Sequence, residues 1–234
     1  MFNTLPDTMR LTLRALARLL AYPDAELRTQ LPALIDALQA EQVLPPARVT
    51  ELQALVQQLG AMDPYEAEER YVETFDRGRR TSLHLFEHIH GDSRERGPAL
   101  IDLTQTYEKA GLRLDARELP DHLGVVLEFA STQPPAVARE FLAEMAHVLN
   151  ALFTGLQAKA SPYASVIAAV LEAAGEKAQA VAIAPEPDMD EAWAEPEAFD
   201  GCATRGQNRP GQPQTLHFVR KARRPAPSSQ GVSP

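Results

Sequence analysis

Apolar residues recur every three or four positions over most of the chain, beginning with Met9, Leu13, Leu16, Ala17 and Leu20, which stack on one face at helical spacing. The spacing predicts a first helix from about Thr8 to Ala21, stopped by Pro23. Two short helical stretches, Ala25 to Gln30 and Ala33 to Ala40, follow. Val49, Leu52, Val56 and Leu59 then form a stripe that ends near Gly60. Asp63-Pro64-Tyr65-Glu66 reads as a helix start: the Asp63 carboxylate caps free amides and Pro64 suits the first helical position. That helix is expected to run through Phe75.

Leu100, Ile101, Thr104 and Tyr107 mark another helix, opened or kinked by Pro98 and stopped by Gly111. Leu119, Leu123, Val126, Leu127 and Ala130 share a face of a helix opened by Pro120, leaving Asp121 and Glu128 opposite. After Pro134-Pro135, the positions Val137, Phe141, Met145, Val148, Leu152 and Leu156 define the longest helix, about 35 Å at 1.5 Å per residue. Ser161-Pro162 opens the last one. Alternation typical of strands is nowhere sustained, so residues 1–184 read as one all-α, helical-bundle domain. Residues 185–234 differ: eight of them are proline, the acids stop at Asp200 and the bases resume at Arg205. They read as a disordered tail, acidic first and basic second, with the one tryptophan, Trp193, in a Met189–Trp193 stretch that could form a docked helical turn.

Charge and composition narrow the function. A net charge of -9 offers no basic stripe for a phosphate backbone, so nucleic acid is not an expected partner. One cysteine, Cys202, excludes a disulfide framework and fits a reducing compartment. Arg10, Arg14 and Arg18 interrupt the N-terminal leucines, which argues against a secretory signal, and no apolar run approaches the length of a membrane span. A soluble, cytoplasmic protein without stable membrane insertion is expected. No G-x-x-x-x-G-K-[ST] loop is present, and no cofactor is expected.

Two features of the centre carry candidate chemistry. His84, Glu87 and His88 spell H-x-x-E-H, the inverted zinc-peptidase signature, and on a helix they would share a polar face away from Leu83, Leu85, Phe86 and Ile89. A zinc hydrolase would need a third rigid ligand, for which only Glu128 or His122 offers itself; the alternative is two surface histidines beside a solvated glutamate. Around this triplet the otherwise acidic chain concentrates Arg77, Arg79, Arg80, Arg94 and Arg96. Guanidinium forks bind carboxylates bidentately, so these arginines either clamp Asp76, Glu87, Asp92 and Glu95 or face a partner.

The stretch YVETFDRGRRTSLHLFEHIHGDSRERG, Tyr71 to Gly97, closely resembles the signature of the NarJ family, the molybdenum cofactor assembly chaperones of respiratory nitrate reductase. The Tyr107-to-Gly111 stretch, ELPDHL at Glu118 to Leu123, LEF at Leu127 to Phe129 and DEAW at Asp190 to Trp193 match in order. Two positions depart from the family pattern: Pro98 stands where a helix-compatible residue is usual, and Gly124 where proline is common. The resemblance implies a TorD-type helical bundle that is not an enzyme. It implies a client, the apo catalytic subunit of nitrate reductase, held by its N-terminal segment until the cofactor is inserted. Molybdenum cofactor delivery proteins are further implied partners, and a related molybdoenzyme is the alternative client. The implied docking face comprises Tyr71, Phe75, Asp76, Arg77, Arg79, Arg80, Ser82, His84, Glu87, His88, Asp92, Arg94, Arg96 and Asp121, with H-x-x-E-H a coincidence inside the chaperone motif.

Overall fold

The computed structural model describes residues 8–91, 93–115 and 118–182. Asp92 and the expected tail, with Trp193 and Cys202, lie outside the described residues. Within them are ten α-helices and no strand. They are α1 (Arg10–Leu19), α2 (Ala25–Ala40), α3 (Pro46–Ala61), α4 (Pro64–Phe75), α5 (Leu85–His90), α6 (Arg96–Lys109), α7 (Leu123–Ser131), α8 (Pro135–Glu144), α9 (Ala146–Ala158) and α10 (Ala164–Ala174). A 3-10 turn, Arg79–Thr81, separates α4 from α5. None of the described helices is long and apolar enough to cross a membrane.

The core is organised around α10, where Val166, Ile167, Val170 and Leu171 are all fully buried. A helix apolar on every side must be covered on every side, and α10 packs against α1, α3, α8 and α9. Helix α1 buries Leu13, Leu16 and Leu19 and lies chiefly on α7 and α2. A smaller aromatic cluster fastens α6: Tyr107 meets Phe129 with ring centroids 4.6 Å apart, and Phe129 meets Phe141 at 5.0 Å.

Several helix ends are satisfied by residues distant in sequence. Met9, at the N-cap of α1, makes no side-chain cap. Instead the Glu41 carboxylate accepts from the amides of Leu11 at 3.0 Å and Thr12 at 2.8 Å. Burial pushes that carboxyl up, yet these hydrogen bonds hold it below its ordinary value. The last carbonyls of α3 accept from Arg28: Leu59 at 2.9 Å and Gly60 at 3.3 Å, with Met62 beyond them at 2.9 Å. Asp63 caps α4 locally, as its sequence predicts.

Four expectations need correction. Helix α2 runs unbroken through Pro32. The proline forfeits one backbone hydrogen bond, but Leu27, Leu31, Leu34 and Leu38 are buried on both sides of it. At about 1.5–3 kcal/mol each, their burial outweighs the ~3 kcal/mol that an interior proline costs. The expected longest helix is two, divided at Met145, whose amide closes back on the Leu142 carbonyl at 3.1 Å. Bending there lets both α8 and α9 reach α10, and it leaves Val137 exposed while Ala138 and Leu142 face inward. Helix α7 starts at Leu123, so Leu119 precedes it and is exposed. Helix α6 starts at Arg96, placing Pro98 in its first turn, where a missing N–H costs nothing.

Candidate functional site

Helix α4 supplies the floor of the site. Tyr71 and Phe75 lie one turn apart on its buried face, with centroids 4.8 Å apart, and the Tyr71 hydroxyl donates to the Leu20 carbonyl at 2.7 Å. Beyond Phe75 the chain must reverse, and the reversal is tied down from α9. The Lys159 ammonium donates to the carbonyls of Glu73 at 3.1 Å and Thr74 at 3.0 Å, and to Thr81 Oγ1 at 3.0 Å. The buried Thr81 hydroxyl in turn donates to the Thr74 carbonyl. A cation at a helix C-terminus meets its dipole favourably. The turn also presses onto Gly155: a Cβ there would stand 2.7 Å from the Arg80 carbonyl oxygen, so the contact requires glycine.

The far wall is a short antiparallel pairing. The Leu123 amide donates to the Leu83 carbonyl at 2.8 Å and the Leu85 amide to the Asp121 carbonyl at 3.1 Å, so His84 and His122 stand opposite each other. This places the Asp121 carboxylate under the start of α5. It is fully buried, accepts from the Phe86 amide at 3.1 Å, and has His84 Nδ1 at 3.4 Å and the Arg96 guanidinium at 3.9 Å. Burial pushes this carboxyl up, but His84, the Phe86 amide and Arg96 together hold it below the usual carboxylate range. The hydrogen bond to Asp121 raises the His84 imidazole despite its burial. Burial and the neighbouring His84 lower His122, whose Nδ1 accepts from the Gly124 amide at 3.2 Å and therefore carries no proton. Gly124 thus supplies an N–H that the proline of the family pattern would lack.

The geometry that the zinc alternative would need is not formed. His84 precedes α5 in extended conformation, so it is not one turn below His88 on a helix. His84 turns to Asp121, whereas His88 Nε2 donates to the Ser82 carbonyl at 2.9 Å. Among the described residues no group of three His, Cys, Asp or Glu side chains could hold a metal ion.

Together these elements enclose a cleft of about 400 Å³. Tyr71, Phe75 and Leu83 form its apolar base; Asp76, Arg79, His84, Glu87 and Arg96 form its charged rim, with Ser82 and His122 between. Arg96 is held by Glu87 at 3.2 Å, as the clamp reading expects. Arg77 turns away to Glu73 at 3.4 Å, and Arg94 is exposed. Arg80 and His88 line a smaller hollow beside the turn, against Ala151. Asp121, expected on the docking face, lies beneath it; a fully buried carboxylate contacts no partner and serves to position His84, Arg96 and α5. Sequence reasoning missed Lys159 and Gly155, and raised His122 only as a candidate zinc ligand. Only Gly155 left a signal, a glycine within an apolar helical pattern, which marks close backbone approach.

Residues 21–169 match the family model described as nitrate reductase delta subunit. The chain is 42% identical over 185 residues to the nitrate reductase molybdenum cofactor assembly chaperone NarJ of Escherichia coli K12, covering 79% of this chain and 78% of that one. It is 33% identical over 167 residues to a Bacillus subtilis strain 168 protein named as a nitrate reductase molybdenum cofactor assembly chaperone, with 70% and 88% covered. Among solved structures, one described as a redox enzyme maturation protein from Archaeoglobus fulgidus shares the fold, with a TM-score of 0.53 at 20% identity over 72% of this chain and 94% of that one. By its sequence, the chain belongs to the nitrate reductase delta subunit family, which includes the NarJ assembly chaperones.

Proposed function

We propose that this chain is a cytoplasmic assembly chaperone that binds the apo catalytic subunit of respiratory nitrate reductase through its N-terminal segment and holds it open for molybdenum cofactor insertion. The observation that carries this reading is the 42% identity to an assembly chaperone across 185 residues. The cleft adds a mechanism. An amphipathic client helix would lay an apolar residue on Tyr71 and Phe75 while Asp76, Glu87 and the arginines of the rim fix its polar side, a helix-in-groove mode. Residues 1–184 are the working unit, and the exposed Arg77, Arg79 and Arg94 form the part of the face open to cofactor delivery proteins. Release follows from folding of the client: a subunit that has closed around its cofactor no longer offers the conformation the chaperone prefers, and affinity falls by that difference.

The test is co-purification with the catalytic subunit in three forms: apo, apo lacking its N-terminal segment, and cofactor-loaded. A complex with the first alone is expected. Equal retention of the loaded subunit, or none of any form, would overturn the proposal, and capture of a related apo-molybdoenzyme in preference would transfer the role to that client.

A further inference from the structure

On the other side of α4 lies a second cleft, of about 460 Å³, which meets the site described above at Glu73, Thr74, Arg77 and Lys159. Its base is apolar, formed by Leu55, Leu59, Met62 and Pro162. Two hydroxyls in its lining, those of Ser161 and Tyr163, are buried without a hydrogen-bond partner. Tyr163 is only 4% exposed, and its ring is fixed edge-on against Phe75, centroids 4.9 Å apart, so the phenol cannot swing out to water. Burial pushes the phenol far above its ordinary value, and it stays an O–H donor at neutral pH. Buried polar groups are ordinarily paired, and an unpaired donor beside a cleft marks where an acceptor fits.

The charges around the cleft agree. Arg70 and Arg77, two turns apart on one face of α4, and Lys159 just past the end of α9 line it, with the single carboxylate of Glu73 among them. Among the described residues Arg70 and Arg77 pair with Glu66 and Glu73 in exposed pairs, a kind that exchanges partners readily. The lining is therefore rich in donors and net positive, within a chain of net charge -9.

We propose that this second cleft docks an acidic segment of a partner protein, with an aromatic or aliphatic side chain on the Leu55, Leu59 and Met62 base and carboxylates reaching Arg70, Arg77 and the Tyr163 hydroxyl. Such a partner binds the opposite side of α4 from the first cleft, so an amphipathic helix in the first cleft leaves its apolar base free.

Fluorescence anisotropy tests this with a labelled synthetic peptide containing one Trp flanked by Asp and Glu, against the same peptide with Asn and Gln in their place. Saturable binding of the acidic peptide is expected, with the neutral peptide about tenfold weaker. Arg70→Glu should weaken binding about tenfold, and Tyr163→Phe, which keeps the ring, about threefold without lowering the melting temperature. A basic amphipathic peptide should not displace the acidic one. Absence of saturable binding, equal affinity for the neutral peptide, an unaffected Arg70→Glu variant or displacement by the basic peptide would each overturn the proposal.

Discussion

Asp121 and His84 form a charged pair with opposite pH signatures. The folded His84 imidazole titrates above its ordinary 6.5, so its contribution to stability is complete below about pH 6.5 and is lost as pH rises through the folded value. Asp121 is held below its ordinary 3.8, so its contribution is present above that pH and lost only as pH falls through the folded value. His122 runs against His84: lowered by burial, it costs the folded state stability at low pH, and that cost disappears as pH rises from its folded value to 6.5. Comparison of wild type with His84→Gln isolates the first effect. The difference in unfolding free energy between them should be larger at about pH 6 than at about pH 8.5 by denaturant titration; a gap that is flat, or that widens with pH, would mean the imidazolium is not what the pair stabilises. None of this was legible along the chain. Asp121 precedes an apolar run and reads as solvent-facing, because the groups that bury it usefully, the Phe86 amide, His84 and Arg96, come from another segment.

Elements whose boundaries rest on local chemistry were legible, and those fixed by distant partners were not. Asp63-Pro64 states the start of α4 in adjacent residues. Nothing near Met145 announces the break between α8 and α9, since neither proline nor glycine stands there and the bend serves packing on α10. Pro32 misleads in the opposite direction, its cost overridden by buried leucines. The centres of the apolar faces were read well, Leu13, Leu123 and Leu152 being fully buried, whereas Ile101, Leu119 and Val137 on the same expected faces are exposed. Each of the three buried leucines changed to Ala should cost about 2 to 5 kcal/mol in denaturant unfolding, and near-neutral values at two of the three would contradict the packing described. Gly155→Ala is a sharper probe, because the obstructing atom is a backbone oxygen 2.7 Å away rather than a flexible side chain. It should destabilise by about 1 to 3 kcal/mol through displacement of the Arg79–Thr81 turn, and weaken client-peptide binding beyond what the stability loss explains. Unchanged melting and binding would show that the turn is not pinned by α9.

For the whole molecule, the separation of supporting from contacting residues is the testable property. Arg79 is exposed on the cleft rim, whereas Lys159 and Asp121 hold the walls. Arg79→Ala combined with Arg94→Ala should move stability by no more than about 0.5 kcal/mol while maturation of the reductase falls; a variant that unfolds would make these residues structural clamps instead. The same fold has a consequence for how the chain is made. Helix α1 rests chiefly on α7, whose first residue follows Leu13 by about 110 positions. At about 5 to 20 residues per second, a ribosome needs roughly 5 to 20 s to deliver that partner. Until then the leucines of α1 have only α2 to cover them, so the α1–α2 hairpin must shelter its own apolar face on the nascent chain, and slowing translation between α2 and α7 should raise aggregation more than the same delay after α7.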